Sequence, residues 1–386
     1  MRVAVVHHWF VTRGGGERVA ECIAALFPAA EIFTLVSGPA GIPPSLASRR
    51  WNHSYLQRFP LVRRHHRHFL PFYPSATASL DLRGFDLVLS SDSGPVKGVR
   101  IDPGARHICY CHSPMRYLWD GYEQYRSSMS GLTRAAFSAT VPHVRRWDAK
   151  AAQRVTWFLA NSRYIADRIG RCYGREAEVL HPPIDLHRAE PLQTEMPGDH
   201  YLCAGRLVSY KRTELLIEAC LRLGRPLRVA GAGPELSRLR ALAAGHPRIE
   251  FLGELSDSDL WMEFARCRAL LFAADEDFGM IPLEVQACGR PVIGYGVGGT
   301  LETVRGQGPS ATGIYFAEQT VDSLAAAIER WEQAFEPSFN PSDARAWAAT
   351  FATPLFVEGF RKFVMEHVPE ASADAISAQE AMKVLA

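Results

Sequence analysis

A chain of 386 residues, 47% of them apolar, has room for two cored domains. No apolar run approaches the length that crosses a bilayer, and the opening MRVAVVHHWF reads as a first strand rather than a secretory signal. The net charge of +2 conceals a gradient: residues 1–195 carry 25 basic and 16 acidic side chains, the remainder 18 and 25. A basic first half points to an anionic partner on that side, either a membrane surface or a phosphorylated acceptor.

Eight cysteines are scattered through strand-like and helix-like stretches, which excludes a disulfide framework. Cys109 and Cys111 share one face of a predicted strand but have no second ligand cluster, so no zinc site is expected. The composition is that of a reduced cytosolic protein.

Arg2–Val6 is strand-like, and a turn from His7 to Arg13 leads to Gly14, Gly15 and Gly16. Apolar residues at Val19, Cys22, Ile23, Leu26 and Phe27 then have helical spacing. A glycine loop between a first strand and its helix suits an anionic ligand that approaches the backbone closely. This run lacks the G-x-G-x-x-G pattern, which excludes a nicotinamide-dependent oxidoreductase. Ile32–Leu35 is the next predicted strand.

The stretch from Leu56 to Tyr73 sets Arg58, Arg63, Arg64 and Arg67 among Phe59, Leu61, Phe69, Phe72 and Tyr73. Basic and aromatic residues in one segment describe an element that lies on anionic lipid, or a helix with a charged outer face. No nucleic-acid module surrounds it, so nucleic acid is not an expected partner. Strands over Phe85–Ser91 and His107–His112 follow, the second ending in His112-Ser113-Pro114. Val155–Ala160 closes the first sheet, Ser162 caps the helix RYIADRI, and Ala177–Pro183 is a last short strand. Pro182, Pro183, Pro191 and Pro197 mark an inter-domain linker.

The second half opens on Tyr201–Arg206, with Lys211 five positions on. An Arg and a Lys at a strand–helix junction supply a diphosphate with a fork for two oxygens and a compact point charge. Leu227–Ala230 leads into Gly231 and Gly233, and Ile249–Gly253 leads to Leu255. A helix over 257–267 delivers the chain to the stretch Leu270–Gly299. There an apolar strand gives way to the acidic turn Asp275-Glu276-Asp277 and then to Phe278, Gly279, Met280 and Ile281. A helix carrying Pro282 in its first turn and Glu284 ends at Gly289, before a second strand and a second glycine turn. The backbone N–H groups of 277–281 would face ligand oxygens, and the two carboxylates would accept from paired sugar hydroxyls. Helices over Val321–Trp331 and Phe351–Val364 complete the pattern, followed by an Ala/Glu/Ser tail.

The motif EDFGMIPLE, with Glu276 and Glu284 eight positions apart and ACG-x-PVI after it, resembles the E-x7-E signature of retaining family 4 (group 1) nucleotide-sugar glycosyltransferases. HHWFVTRGGGERV, HSPMRYLWD and ANSRYIADRI are similar to the bacterial O-antigen and exopolysaccharide mannosyltransferase branch. Members of that branch have Asp where this chain has His8.

The resemblance implies an α/β GT-B fold: two Rossmann-like doubly wound domains facing a central cleft, with a C-terminal helix crossing back to the first. The expected boundaries are 1–190 for the acceptor side, 191–350 for the nucleotide-sugar side, and 351–386 for the returning helix and tail. The implied reaction moves a hexose, mannose from GDP-mannose, onto a lipid-pyrophosphate-linked glycan with anomeric retention. Of the catalytic residues, His112 would sit beside the reacting sugar, Arg206 and Lys211 on the diphosphate, and Glu276 on the sugar hydroxyls. Donor-binding positions would be Gly14, Gly15, Gly16, Gly231, Gly233, Leu255, Phe278, Gly279, Met280, Ile281 and Glu284, the last on the ribose diol. Acceptor or membrane contacts would come from His8, Trp9, Arg63, Arg64, Arg67 and Arg116. No D-x-D dyad occurs where a donor metal would be needed, so neither metal nor cofactor is expected, and the protein should be cytoplasmic, peripheral at the inner face of the membrane. An epimerase or phosphorylase on the same fold, and a non-catalytic nucleotide-sugar-binding protein, remain as other readings.

Overall fold

The computed structural model describes residues 1–371, 376–378 and 381, with the side chains of 66–68 excepted. Two compact units divide the chain: Met1–Pro183 with Pro354–Ala386, and Ile184–Thr353. The first boundary falls at 183/184, so the proline-rich stretch is no free linker. Its 3-10 turns, Leu186–Arg188 and Glu190–Leu192, pack with Ala189 onto the core of the second unit.

The first unit holds seven parallel strands: β1 (Val3–Phe10), β2 (Glu31–Ser37), β3 (Trp51–His53), β4 (Leu87–Asp92), β5 (Arg106–Cys111), β6 (Trp157–Ala160) and β7 (Glu178–Val179). Their order is β3-β2-β1-β4-β5-β6-β7. Both faces are covered, so the strands read as continuous apolar runs rather than alternating ones. Along β1, Val3 and Val5 enter one core with the helix Gly15–Leu26, while Ala4 and Val6 enter the other with Phe33, Val88 and Val96. The helix Thr353–His367 lays Phe356, Val357, Phe360 and Phe363 into the first of these cores. The tail after Pro369 lies largely outside the described residues.

The second unit holds six parallel strands: β8 (Tyr201–Ala204), β9 (Leu227–Ala230), β10 (Ile249–Gly253), β11 (Ala269–Phe272), β12 (Val292–Tyr295) and β13 (Gly313–Phe316). Their order is β10-β9-β8-β11-β12-β13. Each unit therefore has the doubly wound plan, in which strand order reverses once. That switch point lies between β1 and β4 in the first sheet and between β8 and β11 in the second. Ligands of open parallel sheets bind outside the carboxyl ends of the strands at such a point.

Two features differ from the sequence expectation. β1 runs to Phe10, so His7, His8 and Trp9 lie in a strand, not in a turn. The buried polar His7 is tolerated there because Ser91, its partner on β4, supplies hydrogen-bonding atoms. The glycine run is also no loop: Gly14 is the residue before the helix, and Gly15 and Gly16 are its first two residues. Among the described residues no helix is long and apolar enough to cross a membrane.

Candidate functional site

In the second unit the switch point gathers the residues singled out from sequence. Arg206 and Lys211 follow β8, and Glu276 follows β11. Gly205, Arg206, Lys211, Phe272, Ala273 and Ala274 line one hollow. The Lys211 ammonium contacts the Glu276 carboxylate, with both side chains less than one-fifth exposed. Burial opposes the charge on Lys211, but Glu276 and Tyr210 together outweigh it, so its pKa lies above the ordinary lysine value. The ammonium also sits 5.4 Å from the Phe272 ring centroid. Arg206 is exposed at the rim.

Close backbone approach explains the glycines. A Cβ on Gly231 would lie 2.0 Å from the carbonyl oxygen of Gly205, and one on Gly233 would lie 2.1 Å from that of Leu207. The turn after β9 thus presses against the turn that carries Arg206. The acidic turn is held in the same way: Gly299 donates from its N–H to the Glu276 carbonyl at 2.8 Å, and a Cβ there would lie 2.2 Å from Phe278 Cα. The two glycine turns of the Leu270–Gly299 stretch are one packed unit.

Phe278 is buried with Ile184, Leu283 and Phe351 and anchors the turn from below. Gly279, at φ +91°, starts the helix Met280–Ala287, and no side chain caps it. The first-turn N–H groups of a helix have no intrahelical partner, so those of Met280 and Ile281 are available to an anion or hydroxyl. Ile281 packs toward Gly205, and Leu255 lies half-buried at the margin of the core beneath.

Glu284 is half-buried, and among the described residues its carboxylate has neither a hydrogen-bond partner nor an ion pair. Burial pushes its pKa up to about 7, against the pull of Arg188. The folded value lies above the unfolded one, so the neutral form's contribution to stability is complete below the unfolded pKa and is lost as pH rises through the folded value. The wild type should therefore lose at most about 3 kcal/mol of stability between pH 4.5 and pH 8 on this account. Glu284→Gln should flatten that part of the profile and weaken nucleotide-sugar binding. Thermal unfolding across pH checks the first effect and titration calorimetry the second.

In the first unit the other switch point gathers His7, Gly16, Ser91 and His112. His112 stands one residue beyond β5, and its carbonyl accepts from Asn161 Nδ2 at 3.0 Å. Arg168, only 2% exposed, donates to Ser113 Oγ at 3.1 Å and to Asp120 Oδ2 at 3.0 Å, fixing the turn that follows. A Cβ on Gly16 would lie 3.5 Å from His7 Cε1 and 3.7 Å from His112 Nε2, ordinary van der Waals contact, so both imidazoles stand against the helix start. Burial, with a lesser effect from His7, holds the His112 pKa down at about 3.

Beneath lies a cluster that sequence reasoning missed. Lys97 is sealed from solvent and pairs with Asp92 at 3.0 Å and Asp148 at 2.7 Å. Asp148 also accepts from Trp119 Nε1 at 2.9 Å and Tyr173 Oη at 2.8 Å. Asp92 in turn accepts from the N–H groups of Gly94, Val96 and Lys97, and so shapes the loop after β4.

The remaining expected residues are more dispersed. His8 is buried with Nε2 3.2 Å from Ser93 Oγ, and Trp9 is half-buried against Tyr73. Arg116 is half-buried in the turn after β5, where its carbonyl accepts from Gly121. Arg63 donates back to the Ser37 carbonyl at 3.0 Å, Arg64 is exposed, and the side chain of Arg67 lies outside the described residues. Seven of the eight cysteines are buried and all are free thiols, so Cys109 and Cys111 are core residues.

Comparison with known proteins agrees with the two-unit fold. The family described as Glycosyltransferase Family 4 matches residues 13–188, and that described as Glycosyl transferases group 1 matches 190–338. A D-inositol 3-phosphate glycosyltransferase of Mycolicibacterium paratuberculosis is 28% identical over 218 residues, which is 50% of this chain and 49% of that protein. The chain thus spans about half the length of the curated relatives it matches. Among solved structures, Anabaena HepE in complex with UDP and glucose aligns at TM-score 0.69 and 16% identity, covering 95% of this chain and 100% of that one. Sucrose-phosphate synthase from Thermosynechococcus elongatus aligns at TM-score 0.68 and 16% identity, covering 96% and 100%. These two are likenesses of fold. With its two doubly wound units matched in turn by the two family models, the chain belongs to the group 1, family 4 glycosyltransferases.

Proposed function

We propose that the chain is a retaining hexosyltransferase that moves mannose from GDP-mannose onto a hydroxyl of a lipid-pyrophosphate-linked glycan. The observation that carries this reading is the pairing of Lys211 with Glu276 in the hollow that Arg206 also lines, at the second sheet's switch point. A cationic pair there binds a diphosphate and stabilises the charge that grows on it as the glycosidic bond breaks. Glu276 and the N–H groups of Met280 and Ile281 hold the sugar hydroxyls, and Glu284 accepts from the ribose diol. HepE, solved with UDP and glucose, supports a nucleotide-sugar donor.

The reaction breaks the bond from the anomeric carbon to phosphate and forms one from that carbon to the acceptor oxygen, whose proton leaves with the nucleoside diphosphate. Incubation with GDP-mannose or UDP-glucose and a lipid-linked glycan tests the reading by analysis of the products. Transfer with the anomeric configuration kept supports it, and transfer from UDP-glucose alone replaces the base and sugar. Release of free sugar, consumption of phosphate or epimerised nucleotide sugar would point to the other enzymes of this fold.

The protein acts on the inner face of the cytoplasmic membrane and touches it through the segment 56–73. Phe59, Leu61 and Phe72 are 48%, 70% and 51% exposed there, beside exposed Arg58 and Arg64. Leu61 also sits at φ +61°, a conformation leucine adopts only at a cost, without any burial in return. Co-sedimentation with phosphatidylglycerol vesicles should exceed that with phosphatidylcholine. Leu61→Gly should weaken it while leaving the melting temperature equal or higher. Equal recovery with both lipids would remove the membrane contact from the account.

A further inference from the structure

The hydrogen bonds around His112 assign its tautomer. His7 Nδ1 lies 2.9 Å from the carbonyl oxygen of Ser91 and 3.1 Å from the Ser91 hydroxyl. A carbonyl can only accept, so His7 Nδ1 carries a proton in either charge state of the ring. The Ser91 oxygen receives from that side, and its own hydrogen is left to donate. Two acceptors are within reach: His112 Nε2 at 2.7 Å and the Gly16 carbonyl at 3.5 Å. At 3.5 Å the carbonyl lies beyond the ordinary hydroxyl range, so the hydrogen goes to His112 Nε2, which holds a lone pair, and the ring proton resides on Nδ1.

The arrangement is rigid. His7 and Ser91 face each other in the ladder between β1 and β4, both fully buried. His7 Nε2 lies 4.0 Å from the Glu17 carboxylate, and the Tyr110 ring stands 5.2 Å from His112 on its other side. No side chain or carbonyl among the described residues meets His112 Nδ1, and that nitrogen is not sealed from solvent.

We propose that Ser91, backed by His7, is a positioning residue that locks His112 as an Nδ1–H donor, presenting a fixed N–H to a ligand oxygen at the carboxyl end of the first sheet. His112 then binds that oxygen as a hydrogen-bond donor and does not act as a base toward it. The catalytic part of this inference rests on the transferase reading, whereas the tautomer assignment does not.

The test is long-range 15N–1H NMR of histidine-labelled full-length protein at pH 7, with His112 assigned by His112→Gln. The expected spectrum shows His112 protonated at Nδ1 and bare at Nε2. In Ser91→Ala the ring should pass to the Nε2–H form or to a mixture, and kcat with GDP-mannose or UDP-glucose should fall about 10- to 100-fold, typical of a lost outer hydrogen-bond partner. The KM for the nucleotide sugar should change less than kcat. A wild-type spectrum with Nε2–H or a doubly protonated ring overturns the inference even if Ser91→Ala fails to fold. A tautomer change without loss of kcat overturns the positioning role. An Nδ1–H spectrum in a protein that transfers no sugar supports the tautomer assignment and contradicts the transferase reading alone.

Discussion

Replacing Lys211 by alanine is expected to lower kcat/KM by about 100- to 1,000-fold, the effect of removing one preorganised group that meets developing charge. The Glu276 carboxylate and the Phe272 ring hold the ammonium in place, so on the proposed reading its charge needs no reorganisation when the diphosphate departs. Arg206→Ala should cost less because that guanidinium is exposed and partly screened. The double variant should fall short of the product of the two losses, since both act on one phosphate pair. Lys211→Ala also strips Glu276 of its ion-pair partner, so thermal unfolding must accompany the kinetics. A folded variant with undiminished turnover would remove the diphosphate role and favour a non-catalytic binding protein.

The second large effect concerns stability. Lys97→Met should destabilise the first unit by about 3–5 kcal/mol, because breaking a buried ion pair leaves uncompensated charge behind. Here two carboxylates, Asp92 and Asp148, lose their shared partner. For a unit of this size the loss corresponds to a fall of roughly 10 °C in melting temperature. Burial already raises the Asp92 pKa, and once Lys97 is gone that carboxylate discharges by taking up a proton. The destabilisation should therefore be smaller at pH 5 than at pH 8. Calorimetry at the two pH values checks both magnitude and direction, and an equal loss at both would mean that the carboxylates are not charged together in the native state. Asp92 also shapes the loop beside His8, so surviving protein should show weaker acceptor binding.

How far the residues announced these results depends on how local each signal is. Arg206, Lys211 and Glu276 were legible because each lies a few residues past an apolar strand, where a doubly wound sheet places its ligand contacts. β9 and β10 match their expected bounds because each is a short apolar run closed by a glycine. The end of β1 was missed because His7 and His8 are polar, and only the distant Ser91 and Ser93 make their burial possible. β3 has three residues, too few for alternation to show. The helix Gly131–Ala152 buries only Val141, Val144, Asp148, Ala151 and Ala152, so no apolar stripe marks it. The Lys97–Asp148 pair joins residues 51 positions apart in the sequence, and no local pattern announces such a contact.

On the proposed reading, Lys211 and Arg206 hold a nucleotide sugar by its diphosphate without a metal ion. Calorimetric titration of GDP-mannose and UDP-glucose into the wild type and into Lys211→Ala, in EDTA, tests it most directly. Saturable binding of one nucleotide sugar by the wild type is expected, with affinity at least about tenfold weaker in the variant. Binding that requires added divalent metal, or that is equally tight without Lys211, would contradict it.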